Sequence, residues 1–163
     1  MAATYEPLAT STLSGLGTGF DLTSISSAYT DLRLVFKGTF SASDRVAFNF
    51  NNDSGSNYSL TKMWGDGTSA QSGRSGNTNY WFIGATGNTA QQFITLDLMS
   101  YGSSSYKTGI VTYSSDNNGS GEVMQLVGLW RSTSAINRIT ISNLNGSWFN
   151  SGCTVTLFGI KAA

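Results

Sequence analysis

Apolar residues in this chain recur at every second position, segment after segment, and that period fits a pleated strand and no helix. In residues 31–40, Leu32, Leu34, Phe36 and Phe40 fall on one side, with Arg33, Lys37 and Thr39 on the other. Residues 45–51 repeat the pattern: Val46, Phe48 and Phe50 point inward, Arg45, Asn49 and Asn51 outward. In 93–101 the shared face is Ile94, Leu96 and Leu98; in 138–144 it is Ile139 and Ile141, against Arg138, Thr140 and Ser142. Further strands are expected over 58–64, 80–84, 106–113, 122–130 and 154–161, with 4–13 and 20–25 as the opening pair. Turn-forming residues separate them: Asp66-Gly67, Gly102-Ser103-Ser104-Ser105, Asn117-Asn118-Gly119 and Asn145-Gly146. The turn-rich run from Asn51 to Asn57 joins two such segments, so 45–51 and 58–64 are expected to form a hairpin.

No segment carries a sustained helical stripe, and only 132–136 has the composition for a short helical turn. About ten short strands at regular spacing predict an all-β fold, an antiparallel β-sandwich of jelly-roll type with no substantial helix. The 163 residues suit a single domain, 1–163, in which 1–13 is an N-terminal arm or the first strand. Residues 65–79 are rich in Gly, Ser, Thr and Asn and lack alternation. A structureless stretch of that length is uncommon in a compact domain. Two readings stand for it: a mobile surface loop, or an element ordered against a partner subunit.

Composition removes several function classes. Nine Lys plus Arg balance nine Asp plus Glu, and there is no His. A chain of zero net charge with scattered basic residues lacks the electrostatic footprint of a nucleic-acid binder. No apolar run approaches the roughly 20 residues of a membrane span. Neither nucleic acid nor membrane is therefore an expected partner. The start, Met-Ala-Ala-Thr-Tyr-Glu-Pro, has neither the basic nor the apolar part of a secretory leader, so the chain reads as made in a cytoplasm. On that reading the Asn-X-Ser triplets at Asn52, Asn57, Asn118 and Asn145 are turn sequence, not glycan acceptors. The one cysteine, Cys153, rules out a disulfide scaffold and reads as a small core residue.

Without His, neither a Ser-His-Asp nor a Cys-His arrangement can be built. Paired carboxylates could still serve a glycosidase, yet most of the acids sit in turns or at strand starts. Asp97 is the exception, inside a strand on the face opposite Ile94, Leu96 and Leu98, where it faces solvent or pairs with an Arg across the sheet. Asp53 to Asn57, and Asp116 to Gly119 with Glu122 behind, offer oxygen ligands suited to calcium. Neither run matches an EF-hand loop, and both read as hairpin turns. No catalytic residue, metal or cofactor is expected. The aromatic residues carry the binding expectation. Tyr80-Trp81-Phe82 places rings on both faces of one strand, and Trp148 and Phe149 follow the Asn145-Gly146 turn. Tyr80, Trp81, Trp148 and Phe149 are thus candidate contacts to a glycan or a protein surface. The alternative is that these rings pack the core or a subunit contact. Trp64 and Trp130, flanked by Met63, Leu126 and Leu129, are expected in the core.

Several stretches share an order that points further. They are Thr4-Tyr5-Glu6-Pro7-Leu8-Ala9-Thr10, then Tyr29-Thr30-Asp31-Leu32-Arg33-Leu34-Val35, then Asn52-Asp53-Ser54-Gly55-Ser56-Asn57-Tyr58-Ser59. Tyr106-Lys107-Thr108, Gly128-Leu129-Trp130-Arg131-Ser132 and the closing Thr154-Val155-Thr156-Leu157-Phe158-Gly159-Ile160-Lys161-Ala162-Ala163 follow. Together these resemble a family of small virion proteins of phages of marine bacteria and cyanobacteria. The resemblance implies a β-sandwich or jelly-roll module built into the virion, commonly as a homotrimer, with the phage major capsid protein as its other partner. It names no catalytic or ligand residue, and the chain departs from the family pattern over 66–79. Because the chain closes straight out of a strand, a free-standing module is expected. That favours a capsid decoration or cement protein on the outer capsid surface over a tail- or head-fibre module that binds a cell-surface glycan.

Overall fold

The computed structural model describes residues 5–84 and 89–161. Residues 1–4, where the expected N-terminal arm begins, and 162–163 at the close of the last motif lie outside the described residues. Twelve strands follow one another: β1 (Tyr5–Thr12), β2 (Gly19–Leu22), β3 (Asp31–Gly38), β4 (Val46–Phe50), β5 (Tyr58–Gly65), β6 (Ala70–Thr78), β7 (Trp81–Ile83), β8 (Gln92–Met99), β9 (Lys107–Ser115), β10 (Glu122–Trp130), β11 (Ile139–Asn143) and β12 (Thr154–Ile160). They form an eight-stranded sheet, β1-β12-β3-β8-β9-β10-β5-β6, and a four-stranded sheet, β2-β11-β4-β7, antiparallel throughout. The fold is all-β, a two-sheet sandwich, as the alternation predicted.

The core lies between the sheets and is built from the alternating positions. Leu32, Leu34 and Phe36 of β3, Ile94, Leu96 and Leu98 of β8, and Phe48 and Phe50 of β4 are all buried in one cluster. Each such side chain contributes about 1.5–3 kcal/mol by leaving water. Two aromatic groups tie the layers together. Phe149 packs against Phe20, Phe36 and Phe40, with ring centroids 4.6–6.0 Å apart. Phe50 packs against Tyr58, Trp81 and Trp130 at 4.8–6.0 Å. Cys153 is buried, as expected of a small core residue.

One contact between the sheets depends on missing side chains. Gly109 and Gly128 face each other across β9 and β10, and together they leave a notch in the large sheet. Trp81, from the small sheet, fills it and donates its indole N–H to the Leu129 carbonyl at 3.1 Å. A methyl group at Gly128 would stand 2.3 Å from Trp81 Cε2, and one at Gly109 3.0 Å from its Cζ3.

Three expectations are corrected. Residues 45–51 and 58–64 do not form a hairpin, because β4 belongs to the small sheet and β5 to the large one. Asn51 and Asn52 both hold positive φ, 52° and 56°, which swings the chain from one layer to the other. Residues 65–79 are not a long loop but the second half of a hairpin, in which β6 pairs with β5 from Tyr58↔Thr78 to Gly65↔Ala70. Alternation is absent there because both faces of β6 are largely exposed. Residues 132–136 form no helical turn; they run irregularly, held by Ile136 N–H on the Tyr101 carbonyl and by Asn51 Nδ2 on the Ala135 carbonyl.

Candidate functional site

The aromatic candidates separate by burial. Trp81 and Phe149 are fully buried and are withdrawn as contact residues. The first is the plug of the glycine notch, the second the hub of a phenylalanine cluster, so core packing is what these rings do. Tyr80 is half-buried and packs edge-on against Phe82 at 6.1 Å. Phe82 is in turn approached by Arg45 at 5.6 Å and Lys62 at 4.8 Å, and Lys62 also lies 5.1 Å from the Trp64 ring centre. Such cation–aromatic contacts contribute about 0.5–1 kcal/mol each when exposed. Burial, followed by repulsion from Arg45, holds the Lys62 ammonium below its ordinary pKa. Trp64 is therefore only partly in the core, whereas Trp130 is buried in it. Trp148 is 48% exposed on the turn it was expected to flank, its backbone pinned to Ser41. No ring contact or hydrogen bond joins Trp148 to Tyr80 among the described residues.

The carboxylates hold the fold together. Asp97 pairs with Arg33 across β3 and β8 through two hydrogen bonds of 2.6 and 2.8 Å, the second of the two placements expected for it. Asp21 pairs likewise with Arg138, and Glu6 with Lys161 at 3.5 Å. Asp44 is fully buried and accepts backbone N–H groups from Arg45, Leu144, Asn145 and Ser147. It thereby anchors the Asn145-Gly146 turn.

The two loops considered for calcium use their oxygens internally. Asp53 accepts from Gly55 N–H, from Asn57 Nδ2 and from the Trp130 indole at 2.7 Å. Burial pushes this carboxyl up, but the bonds from Trp130, Asn57 and Gly55 together outweigh it and hold the pKa below the usual range. Asp116 accepts the Gly119 N–H at 2.8 Å. Asp66 accepts from the Thr68 hydroxyl and from the Ser69 and Thr68 N–H groups, which hold its carboxyl at about 2. Glu122 differs: burial first, then the nearby Asp66 charge, pushes its carboxyl up. Among the described residues no three Asp, Glu, Cys or His side chains stand where they could hold a metal ion.

What the sequence reading missed is the outward face of the large sheet. Met63, Phe93, Met99, Ile110, Val123 and Val127 are all exposed there, by 40–63%. Three adjoining hollows of about 550, 280 and 570 Å³ run along β10, β5 and β6, sharing Val127, Thr61, Met63 and Gln125 among their walls. Of the charged residues on this face, Arg33 and Asp97 neutralise each other, while Lys37 of β3 stands exposed opposite Phe93 and Arg74 lies on β6. The signal was present in the alternation, since the outward positions of 93–101 and 122–130 include Phe93, Val123 and Val127, where a solvated face would carry charges. No family model, no curated protein and no solved structure matches the chain.

Proposed function

We propose that this chain is a non-enzymatic structural protein of a phage virion, a homotrimeric capsid decoration or cement protein that binds the major capsid protein and stabilises the outer capsid surface. The observation that carries the reading is the broad outward face of the eight-stranded sheet, where Met63, Ile110, Val123 and Val127 stand exposed among uncharged polar residues of β5, β9 and β10. Isolated apolar residues are common on protein surfaces, but several on one sheet face, with Ile110 directly opposite Val127, make the kind of surface that subunit contacts bury. Apolar and uncharged contacts are also insensitive to salt screening, which suits a particle exposed to changing ionic strength. The ordered motifs from Thr4 to Ala163 support the same reading, as does the use of most carboxylates as structural acceptors.

The finer description that goes with this reading is an enlarged jelly roll, its two facing antiparallel sheets being β2-β11-β4-β7 and β1-β12-β3-β8-β9-β10-β5-β6. Particles assembled without the chain are expected to release their genome at lower temperature than complete ones, and added protein is expected to restore them. Unchanged release temperatures would overturn the cement role. Exposed Trp148 favours a second reading, a fibre module that binds a cell-surface glycan. That reading requires glycan-array binding that Trp148→Ala abolishes.

A further inference from the structure

The sandwich has four sheet edges, and three are blunted in ways that prevent strand addition. β2 and β7 are only four and three residues long, and β1 carries Pro7 with an irregular register beside it. The fourth, β6, is nine residues long, contains no Pro and bears only small or polar side chains besides Arg74. It keeps regular register with β5 from Ala70 to Ser75, before the irregularity at Gly76 and Asn77. Its backbone is open to a new neighbour. The turn bond from Asp66 N–H to the Ser69 carbonyl sets the alternation of the antiparallel ladder. Counting from it, Gln71 and Gly73 bond to β5, while Ser72 and Arg74 point their N–H and C=O groups at the free edge.

The face beside that edge is selective. Ser72 and Arg74 share the outward side with Met63 and Thr61 of β5, their register partners, and with Gln125 and Val127 of β10. These residues border the hollows described above. Arg74 is the single charged side chain among the outward positions of β5, β6 and β10, and it has no ion partner among the described residues. A second copy pairing symmetrically through β6 about its central residue would set Arg74 against Arg74, which disfavours it.

We propose that β6 is a docking edge for an extended segment of a partner polypeptide. The segment adds as a ninth strand, sets a carboxylate opposite Arg74 and lays apolar side chains two residues to either side over the hollows. Free backbone groups at the edge call for a polypeptide, alternate side-chain positions give selectivity, and Arg74 fixes the charge. The proposal holds whether or not the chain sits on a virion.

The test uses the full chain and a fluorescein-labelled capped peptide, Ser-Val-Thr-Val-Thr-Glu-Thr-Val-Ser-Lys, followed by fluorescence anisotropy. Saturable binding is expected below about 1 mM, weakened about tenfold by Arg74→Glu and recovered when the peptide Glu is changed to Lys. Ser72→Pro, which removes only an edge-facing N–H, is expected to abolish binding while the circular dichroism spectrum is kept. The charge-swap pair decides the matter should Ser72→Pro fail to fold. No saturable binding, or binding that Arg74→Glu leaves unchanged, would overturn the proposal. So would a dimer in sedimentation that Arg74→Glu dissociates, since the edge would then belong to a second copy.

Discussion

Replacing Gly128 with Ala tests the packing of the two sheets at one atom. The added methyl would stand 2.3 Å from Trp81 Cε2 and 2.5 Å from Cδ2, where carbon atoms pack best at about 3.5–4.0 Å. The indole must retreat by more than about 1 Å to reach that separation. It has nowhere to go, being fully buried and wedged edge-on against Phe50 at 4.8 Å. Overpacking of this kind costs about 1–3 kcal/mol, and loss of the indole bond to Leu129 adds about 1 kcal/mol. A loss of about 3 kcal/mol is therefore expected, or about 6–12 °C in Tm for a chain of this size. Urea unfolding followed by tryptophan fluorescence and by circular dichroism measures it. Two companions locate the cause. Gly76→Ala, where nothing lies within 4 Å of the new methyl, is expected to stay within about 0.5 kcal/mol of the parent. Trp81→Leu combined with Gly128→Ala is expected to cost less than the sum of the single changes by at least about 1 kcal/mol. A Gly128→Ala protein as stable as the parent, or strictly additive effects in the pair, would refute the notch.

The other expectations concern buried polar groups and pH. Asp44→Asn replaces a carboxylate that caps four backbone N–H groups, and is expected to cost roughly 3 kcal/mol in denaturant unfolding. Lys107 is buried with its ammonium on the Ser103 and Ser105 carbonyls at 2.7 and 2.5 Å; Lys107→Met leaves both without a donor and is expected to cost about 2–3 kcal/mol in the same assay. Trp130→Phe removes the indole donor to Asp53, with an expected loss of about 1–2 kcal/mol and a carboxyl that titrates closer to its ordinary range. In acid, Asp66 and Asp53 titrate below their unfolded values, so the unfolded chain takes up protons that the native one does not. Their stabilisation is complete above the unfolded carboxylate pKa of about 4 and is lost as pH falls through the folded values. Glu122, raised in the folded state, acts in the opposite sense and lessens the fall at its onset. Tm measured from pH 7 down to pH 2 checks the order, and Asp66→Asn should flatten the acid limb.

The architecture was legible wherever one face of a strand is buried and the other wet. β3, β8 and β11 fall where Leu32 to Phe36, Ile94 to Leu98, and Ile139 with Ile141 placed them. Asn117-Asn118-Gly119 turned β9 into β10, with Asn118 and Gly119 at φ 55° and 90°. Pattern failed at β6 because nothing buries either of its faces, so the periodic signal had no cause. The Asp66-Gly67 pair at its start was the better guide, for it closes a two-residue hairpin loop. The assignment of β4 and β5 to different sheets was not legible, since a turn sequence specifies a change of direction but not of layer. Burial of single aromatic rings was equally hidden. Trp81 looks like an exposed anchor until Gly109 and Gly128, more than twenty residues downstream, are seen to make room for it. The pairing of Asp97 with Arg33 was within reach, because both occupy the wet side of neighbouring strands.

The copy number of this chain in purified phage particles tests the central claim most directly. Quantitative mass spectrometry against the major capsid protein supplies it. A ratio approaching the abundance of the capsid protein itself is the expected result, as a lattice-wide decoration or cement role requires. A ratio typical of a vertex or tail component would contradict that role and move the function to a fibre, and absence from the particle would contradict the virion assignment altogether.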